Sequence, residues 1–405
     1  MQVPDHSLES KERSDMKRIT TAVVALGAVA AFALAGCSNG SRGDTSGSGS
    51  TPSGAGTGTA AASQFPTFAA GATIGVSLPQ KTSENWVLAE GLFNTQLTAA
   101  GFKPMVNFAN NGVSDQQNQI QAMITAGAKV IVVGAIDGSQ LGSQLEAAKQ
   151  AGITIIAYDR LLTNTPDVDM YVAYDNYKVG QLQGQALLDG LKAKKTDGPP
   201  WNIELIAGSP DDANSKPFFE GAMSVLQPKI DDGTLKIPSG QKTQQQASTQ
   251  GWLAKNAQNR MDAILAANYA SGTKLDGILS PNDTLARAAL TSVKNAGLPN
   301  PVITGQDSEL ESIPLIADGT QYSTINKDTG KFVTQVVDII KQIQQGQTIQ
   351  FNDTKSYNNG VKVVPAFLLP PVLVTQANVC TAYDPATSPS ASKAALATDY
   401  CKSKG

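Results

Sequence analysis

Histidine is almost missing from this sequence. Among 405 residues there is one, His6, and it lies in a segment expected to be removed. The mature chain then has no imidazole, which excludes Ser-His-Asp and Cys-His catalysis and His-ligated zinc. Cysteine is nearly as scarce: Cys37, Cys380 and Cys401 have no metal-like spacing. Charged residues make up 16% and the formal charge is −3. No basic block follows the N-terminus, so nothing marks a nucleic-acid partner. Residues 73–91 hold neither G-x-G-x-x-G nor G-x-x-x-x-G-K-[ST], so a nucleotide cradle is not expected. No repeat occurs at solenoid periods. No metal, cofactor or catalytic residue is expected, although carboxylate-only chemistry stays open.

What is present begins with an export device. Lys17 and Arg18 precede an apolar run, Ile19 to Ala35, that ends in Leu34-Ala35-Gly36-Cys37. A basic start, a short apolar stretch and small residues before the cut describe a secretory signal over residues 1–36. The run is about 17 residues, marginal for a membrane span. The last four residues look like a bacterial lipobox, which makes Cys37 a lipid attachment site and the new N-terminus. An uncleaved anchor is the alternative, and Met16 is an alternative start. Residues 37–71 read as the lipidated cysteine plus a Gly/Ser/Thr-rich tether. Ser38 to Gln64 cannot bury a core and gives a reach of roughly 30 Å.

From Thr73 strand and helix alternate. Thr73–Leu78, Pro104–Phe108, Val130–Val133 and Thr154–Tyr158 read as strands. Trp86–Ala100, Gln116–Ala126 and Leu141–Ala151 read as the helices between them. The pattern repeats with strands Ile203–Ala207, Gly277–Ser280, Val302–Thr304 and Tyr322–Ile325. Its helices are Tyr177–Leu191, Ala257–Ala267, Thr284–Ala296 and Lys331–Gln345. Continuous Val/Ile runs between amphipathic helices imply parallel sheets covered on both faces. The expected fold class is α/β, with two doubly wound parallel-sheet lobes. The boundaries expected are 72–174 with 306–352 for the N-terminal lobe and 175–305 with 353–378 for the C-terminal lobe. Residues 379–405 form a tail in which Cys380 and Cys401 pair, two free thiols being the alternative. A closed loop of about 20 residues adds roughly 3 kcal/mol, and an exported setting permits it.

In such sheets ligands sit beyond the carboxyl ends of the strands. Those positions carry Asp159-Arg160, Gly208-Ser209-Pro210-Asp211-Asp212-Ala213-Asn214, Pro281-Asn282-Asp283, Gly305-Gln306-Asp307 and Asn326-Lys327. Asp accepts, Lys and Arg donate, Asn and Gln do both. A sugar hydroxyl needs this set, because burying one unpaired costs about 1–3 kcal/mol. Trp86, Phe218, Phe219 and Trp252 can pack on the C–H faces of a ring. Each position also has a plainer reading. Asn282-Asp283 could be a helix N-cap, one of Asp211 and Asp212 loop solvation, Trp252 core, and Asp159-Arg160 an internal ion-pair network.

These stretches, with Gln321 to Thr329, resemble the type I periplasmic sugar-binding proteins over roughly Ala72 to Thr375. The xylose-binding and multiple-sugar-binding branch is the most similar. The resemblance implies two lobes joined by a three-segment hinge, with a neutral monosaccharide between them. It implies that Asp159 and Arg160, helped by Lys81, grip from the first lobe, and that Asn214, Asn282 and Asp283 grip from the second. Gln306 and Lys327 lie at the hinge side, with Trp252 and Asn256 near the mouth or stacking face. Trp86 and Asn85 complete the expected ligand set, and Asn85, standing where relatives often carry Arg, puts acidic sugars in doubt. The partners implied are an ABC permease and, through the lipid, the cell membrane; the body is expected to be a monomer. Two other functions compete: an extracellular carbohydrate-active enzyme with Asp159 and Asp283 as paired carboxylates, and a sensor that presents its closed form to a receptor. A sugar-responsive repressor needs a helix-turn-helix where the signal and tether stand.

Overall fold

Val, Ile and Leu runs at strand spacing build the frame. The computed structural model describes residues 63–81 and 83–404; the signal segment, Cys37 and most of the tether lie outside these residues. Among the described residues the strands are β1 (Thr73–Leu78), β2 (Lys103–Phe108), β3 (Val130–Val133), β4 (Thr154–Tyr158), β5 (Met170–Tyr174), β6 (Trp201–Leu205), β7 (Leu235–Lys236), β8 (Gly277–Leu279), β9 (Val302–Ile303), β10 (Ser323–Asn326), β11 (Ala366–Leu369) and β12 (Val372–Thr375). A parallel six-stranded sheet has the order β11-β5-β4-β3-β1-β2, and a parallel four-stranded sheet the order β7-β6-β8-β9. β10 pairs antiparallel with β12. Fully buried Val130–Val133 and Thr154–Tyr158 sit centrally in the first sheet, as unbroken apolar runs should.

Helix Glu84–Ala99 turns Trp86, Ala89, Phe93 and Leu97 inward. It meets helix Thr329–Gln344, which contributes Phe332, Val333, Val336 and Ile340 to the same core. Tyr158 is held there by ring contacts with Phe93 at 5.2 Å and Phe332 at 4.2 Å. Burying each such side chain stabilises by about 1.5–3 kcal/mol. That rigid packing fixes the residues that follow Tyr158. In the second half, helices Asn176–Lys194 and Ser215–Asp231 pack backbone to backbone. A Cβ at Gly180 would overlap Phe218 O, and one at Gly221 would overlap Tyr177 O. This close approach sets where Ser215–Asp231 begins, and so where Asn214 points.

The chain passes between the two halves after β5, between β10 and helix Thr329–Gln344, and between β11 and β12. The expected boundaries at 305/306 and 352/353 are corrected by this path. Residues 306–326 go with the second half, because Ile325 lies in its core and Ile313 and Ile316 pack on Val374. β11 belongs to the first sheet, alongside β5. Both errors have one cause: these pairings join residues far apart in sequence, and periodicity carries no information about them.

Candidate functional site

Seven segments of the chain border one small cavity. It is bordered by Ser83, Asn85 and Trp86 at the start of helix Glu84–Ala99, by Asp159 and Arg160 after β4, and by Asp212, Asn214 and Phe218 after β6. Trp252, Asn282 after β8, Gln306 and Asp307 after β9, and Lys327 after β10 close the ring. The cavity is small, ≈ 30 Å³. A wider groove of ≈ 610 Å³ lies beside it and shares only Asp212 and Asn214 with it; the convergent charges are in the small cavity.

Backbone strain marks the same place. Asp159, Trp252 and Asp307 have positive φ, at 61°, 56° and 90°, a region that side-chain-bearing residues rarely enter and that concentrates at binding sites. Asp159 is held so by its own backbone: Tyr171 OH and Asn214 Nδ2 both donate to Asp159 O. Gly208 lies beneath Trp252, where a Cβ would overlap the indole.

Two ion-pair groups organise the walls. Arg160 Nε lies 3.0 Å from Asp212 Oδ2, and Arg160 Nη1 donates to Ala135 O at 2.9 Å. Its guanidinium stacks over Trp86 at 5.4 Å. Trp252 Nε1 donates to the same Asp212 oxygen at 3.0 Å. Burial pushes the Asp212 carboxyl up, and the Arg160 charge opposes the push. On the other side Lys327 Nζ lies 3.1 Å from Asp307 and 3.7 Å from Asp159, above the Phe218 ring. Burial disfavours the Lys327 ammonium, but Asp307 and Asp159 outweigh it and raise its pKa. Asp307 is itself raised by burial, with Lys327 opposing.

Three carboxylates thus face two cations, and both cations are already matched. Among the described residues, the buried atoms on this border without a hydrogen-bond partner are Arg160 Nε, Asp307 Oδ1 and Gln306 Oε1. Gln306 Nε2 donates to Pro281 O, while its buried Oε1 has no partner among the described residues. Asn282 Oδ1 caps helix Asp283–Asn295 through Leu285 N at 3.0 Å, so the plain N-cap reading is correct for that oxygen. Asn282 nonetheless borders the cavity. Asn214 Nδ2 reaches Asp159 Oδ2 at 3.2 Å, which ties the two halves together.

Three expected ligand residues stand elsewhere. Asp283 is fully buried behind the cavity, and its carboxylate accepts from Gln321 Nε2, Thr324 Oγ1 and Glu309 N. It shapes the loop after β9 and does not border the cavity. Lys81 lies over Phe108 and pairs loosely with Glu90 at 3.7 Å on the surface. Asn256 Nδ2 donates to Gln250 O at 2.9 Å and so braces the Trp252 turn from outside. Conversely Ser83, Asp212 and Asp307 border the cavity without having been selected. Asp212 and Asp307 sit in the strand-end motifs; the sequence does not say that Asp212 turns inward while Asp211 is taken by Gln250 Nε2.

This geometry coincides with a known architecture. The family model of the periplasmic binding protein domain matches residues 74–348. The multiple sugar-binding periplasmic receptor ChvE of Rhizobium radiobacter is 44% identical over 319 residues, covering 77% of this chain and 90% of that protein. The D-xylose-binding periplasmic protein of Escherichia coli K12 is 35% identical, covering 76% of this chain and 87% of that protein. A crystal structure of an ABC transporter solute binding protein from Clostridium phytofermentans with bound β-D-glucose superposes with a TM-score of 0.73 at 39% identity, covering 76% of this chain and 94% of that one. The chain belongs to the type I periplasmic sugar-binding proteins of ABC transporters, close to the multiple-sugar-binding and xylose-binding members.

Proposed function

We propose that this chain is an extracytoplasmic binding protein that captures a neutral monosaccharide of the glucose or xylose type and hands it to an ABC importer. The carrying observation is that each cleft cation lies beside a carboxylate, so the site has no cation in excess, while the buried Gln306 Oε1 has no partner among the described residues. A free carboxylate on the ligand would meet a site with an excess of negative charge, which disfavours it. Hydroxyls instead complete the open positions at Gln306 and Asn282, with Trp86, Trp252 and Phe218 for the ring faces. Glycoside cleavage by Asp159 and Asp283 is disfavoured, because two carboxylates must flank one bond and Asp283 is committed behind the wall.

Calorimetry of the body with D-glucose, D-xylose, D-galactose, L-arabinose and D-glucuronate tests this. Binding is expected with at least one neutral sugar and not with glucuronate. Silence with all the neutral sugars, or a preference for glucuronate, would overturn the proposal.

A lipid on Cys37 and the Gly/Ser tether then keep the body near the membrane, within roughly 30 Å. Relative motion of the two halves opens and closes the cleft. Metabolic labelling with an alkyne fatty acid is expected to mark the wild type and not Cys37→Ser, which should be released into the medium. Equal membrane retention of both would show that no lipid on Cys37 holds the protein.

A further inference from the structure

The tail beyond β12 packs against the crossing segment that carries Lys327. Cys380 and Cys401 are bonded, with Cα atoms 5.5 Å apart. Tyr383, Ala395 and Cys401 pack with Ile313, Ile316 and Val374 of the second half. From that anchor the tail runs along residues 326–331, where the chain crosses into the first half. Asn326 Nδ2 donates to Ala382 O at 3.3 Å. Thr387 Oγ1 donates to Asp328 Oδ2 at 2.5 Å, while Asp328 Oδ1 caps helix Thr329–Gln344 through Lys331 N. Thr387 O presses on Gly330 so closely that a Cβ there would overlap it. Asp384 pairs with Lys331 at 3.4 Å. These contacts flank Lys327 on both sides, and the buried hydroxyls of Tyr383 in the tail and of Ser308, which follows Asp307 in sequence, have no hydrogen-bond partner among the described residues.

We propose that the disulfide-closed tail is a brace that fixes Lys327 and Asp307 in the cleft, with Thr387 as its positioning residue. The physical reason is reach. Lys327 must hold two carboxylates at once, and it sits on a crossing segment that has to move when the halves part. A covalently closed loop fastened to the second half and to Asp328 limits how far that segment can relax. The ligand-affinity part rests on the sugar-binding reading; the positional part does not.

The test compares the wild type, Cys380→Ser with Cys401→Ser, Thr387→Val and Thr387→Ser. Hydrogen exchange is measured without ligand, and D-glucose and D-xylose affinity by calorimetry. Loss of the closed loop is expected to speed exchange of amides 307–309 and 326–331 about tenfold or more. Thr387→Val is expected to weaken sugar affinity about fivefold, while Thr387→Ser restores it. Thiol reduction of the wild type should reproduce the double-serine result. The brace is overturned if residues 389–401 lose protection while 307–309 and 326–331 exchange as in the wild type. If the wild type binds neither sugar, the sugar reading fails, and the exchange data still decide the brace.

Discussion

Arg160→Ala is expected to reduce monosaccharide affinity by about 100-fold or more and to destabilise the body by roughly 3–5 kcal/mol. Arg160 contributes in three ways at once. It neutralises Asp212 at 3.0 Å, anchors to Ala135 O, and lies over Trp86. A hydrogen bond from a charged donor contributes about 1.5–3 kcal/mol, and each 1.4 kcal/mol is about tenfold in affinity. Losing the guanidinium also frees the Asp212 carboxylate that Trp252 Nε1 shares, so the ring-stacking face loses its register. The stability cost arises because a buried charge is left without its partner. Arg160→Met combined with Asp212→Asn removes both charges. It is expected to recover most of the stability and none of the affinity. Urea denaturation and calorimetry on the three proteins check this. Affinity for the wild type's preferred sugar within threefold in Arg160→Ala would show that the guanidinium does not organise the cleft for the ligand.

Stability should fall as pH rises from 5 to 8, the reverse of ordinary carboxylate behaviour. Behind the cavity Glu309 is buried, and its carboxyl is pushed up to about 7: burial raises it, the Arg287 charge opposes, and Asp307 adds to the rise. Asp283 beside it is also pushed up, first by burial and then by the Glu309 charge. Thr284 Oγ1 and Arg287 face Glu309, and Gln321 and Thr324 face Asp283. In the unfolded chain such carboxyls ionise near 4. Between about 4 and 7 the folded state therefore holds more protons than the unfolded state, and the slope of stability against pH is negative. The contribution is fully present below the unfolded value and is lost as pH rises through about 7, an amount of about 3 kcal/mol for Glu309. Asp212 and Asp307, raised by burial, act in the same direction. Urea midpoints at pH 5, 6, 7 and 8 should decline for the wild type and decline less for Glu309→Gln. A flat or rising wild-type series, or identical slopes in the two proteins, would refute the assignment.

Several elements were legible without coordinates because their information is local. Val130–Val133 and Thr154–Tyr158 are continuous apolar runs, and the strands occupy those residues. Helix Ser215–Asp231 escaped the periodic reading, since Pro217, Gly221 and Pro228 interrupt its pattern. The helix packs Gly221 against Tyr177 O of the neighbouring helix and buries Phe218, Ala222 and Leu226, tertiary contacts that outweigh propensity.

The site divides along the same line. The alternation of strand and helix determined that polar residues would gather beyond the strand ends, and among those the resemblance to sugar-binding proteins pointed to Asp159, Arg160, Asn214, Asn282, Gln306 and Lys327, all of which border the cavity. Only the fold decided that Asp212 turns in while Asp211 turns out, and that Asp283 serves behind the wall. It also decided that β11 crosses to the first sheet. Neighbours in sequence share their local pattern, but which side of a wall a side chain occupies depends on partners hundreds of residues away.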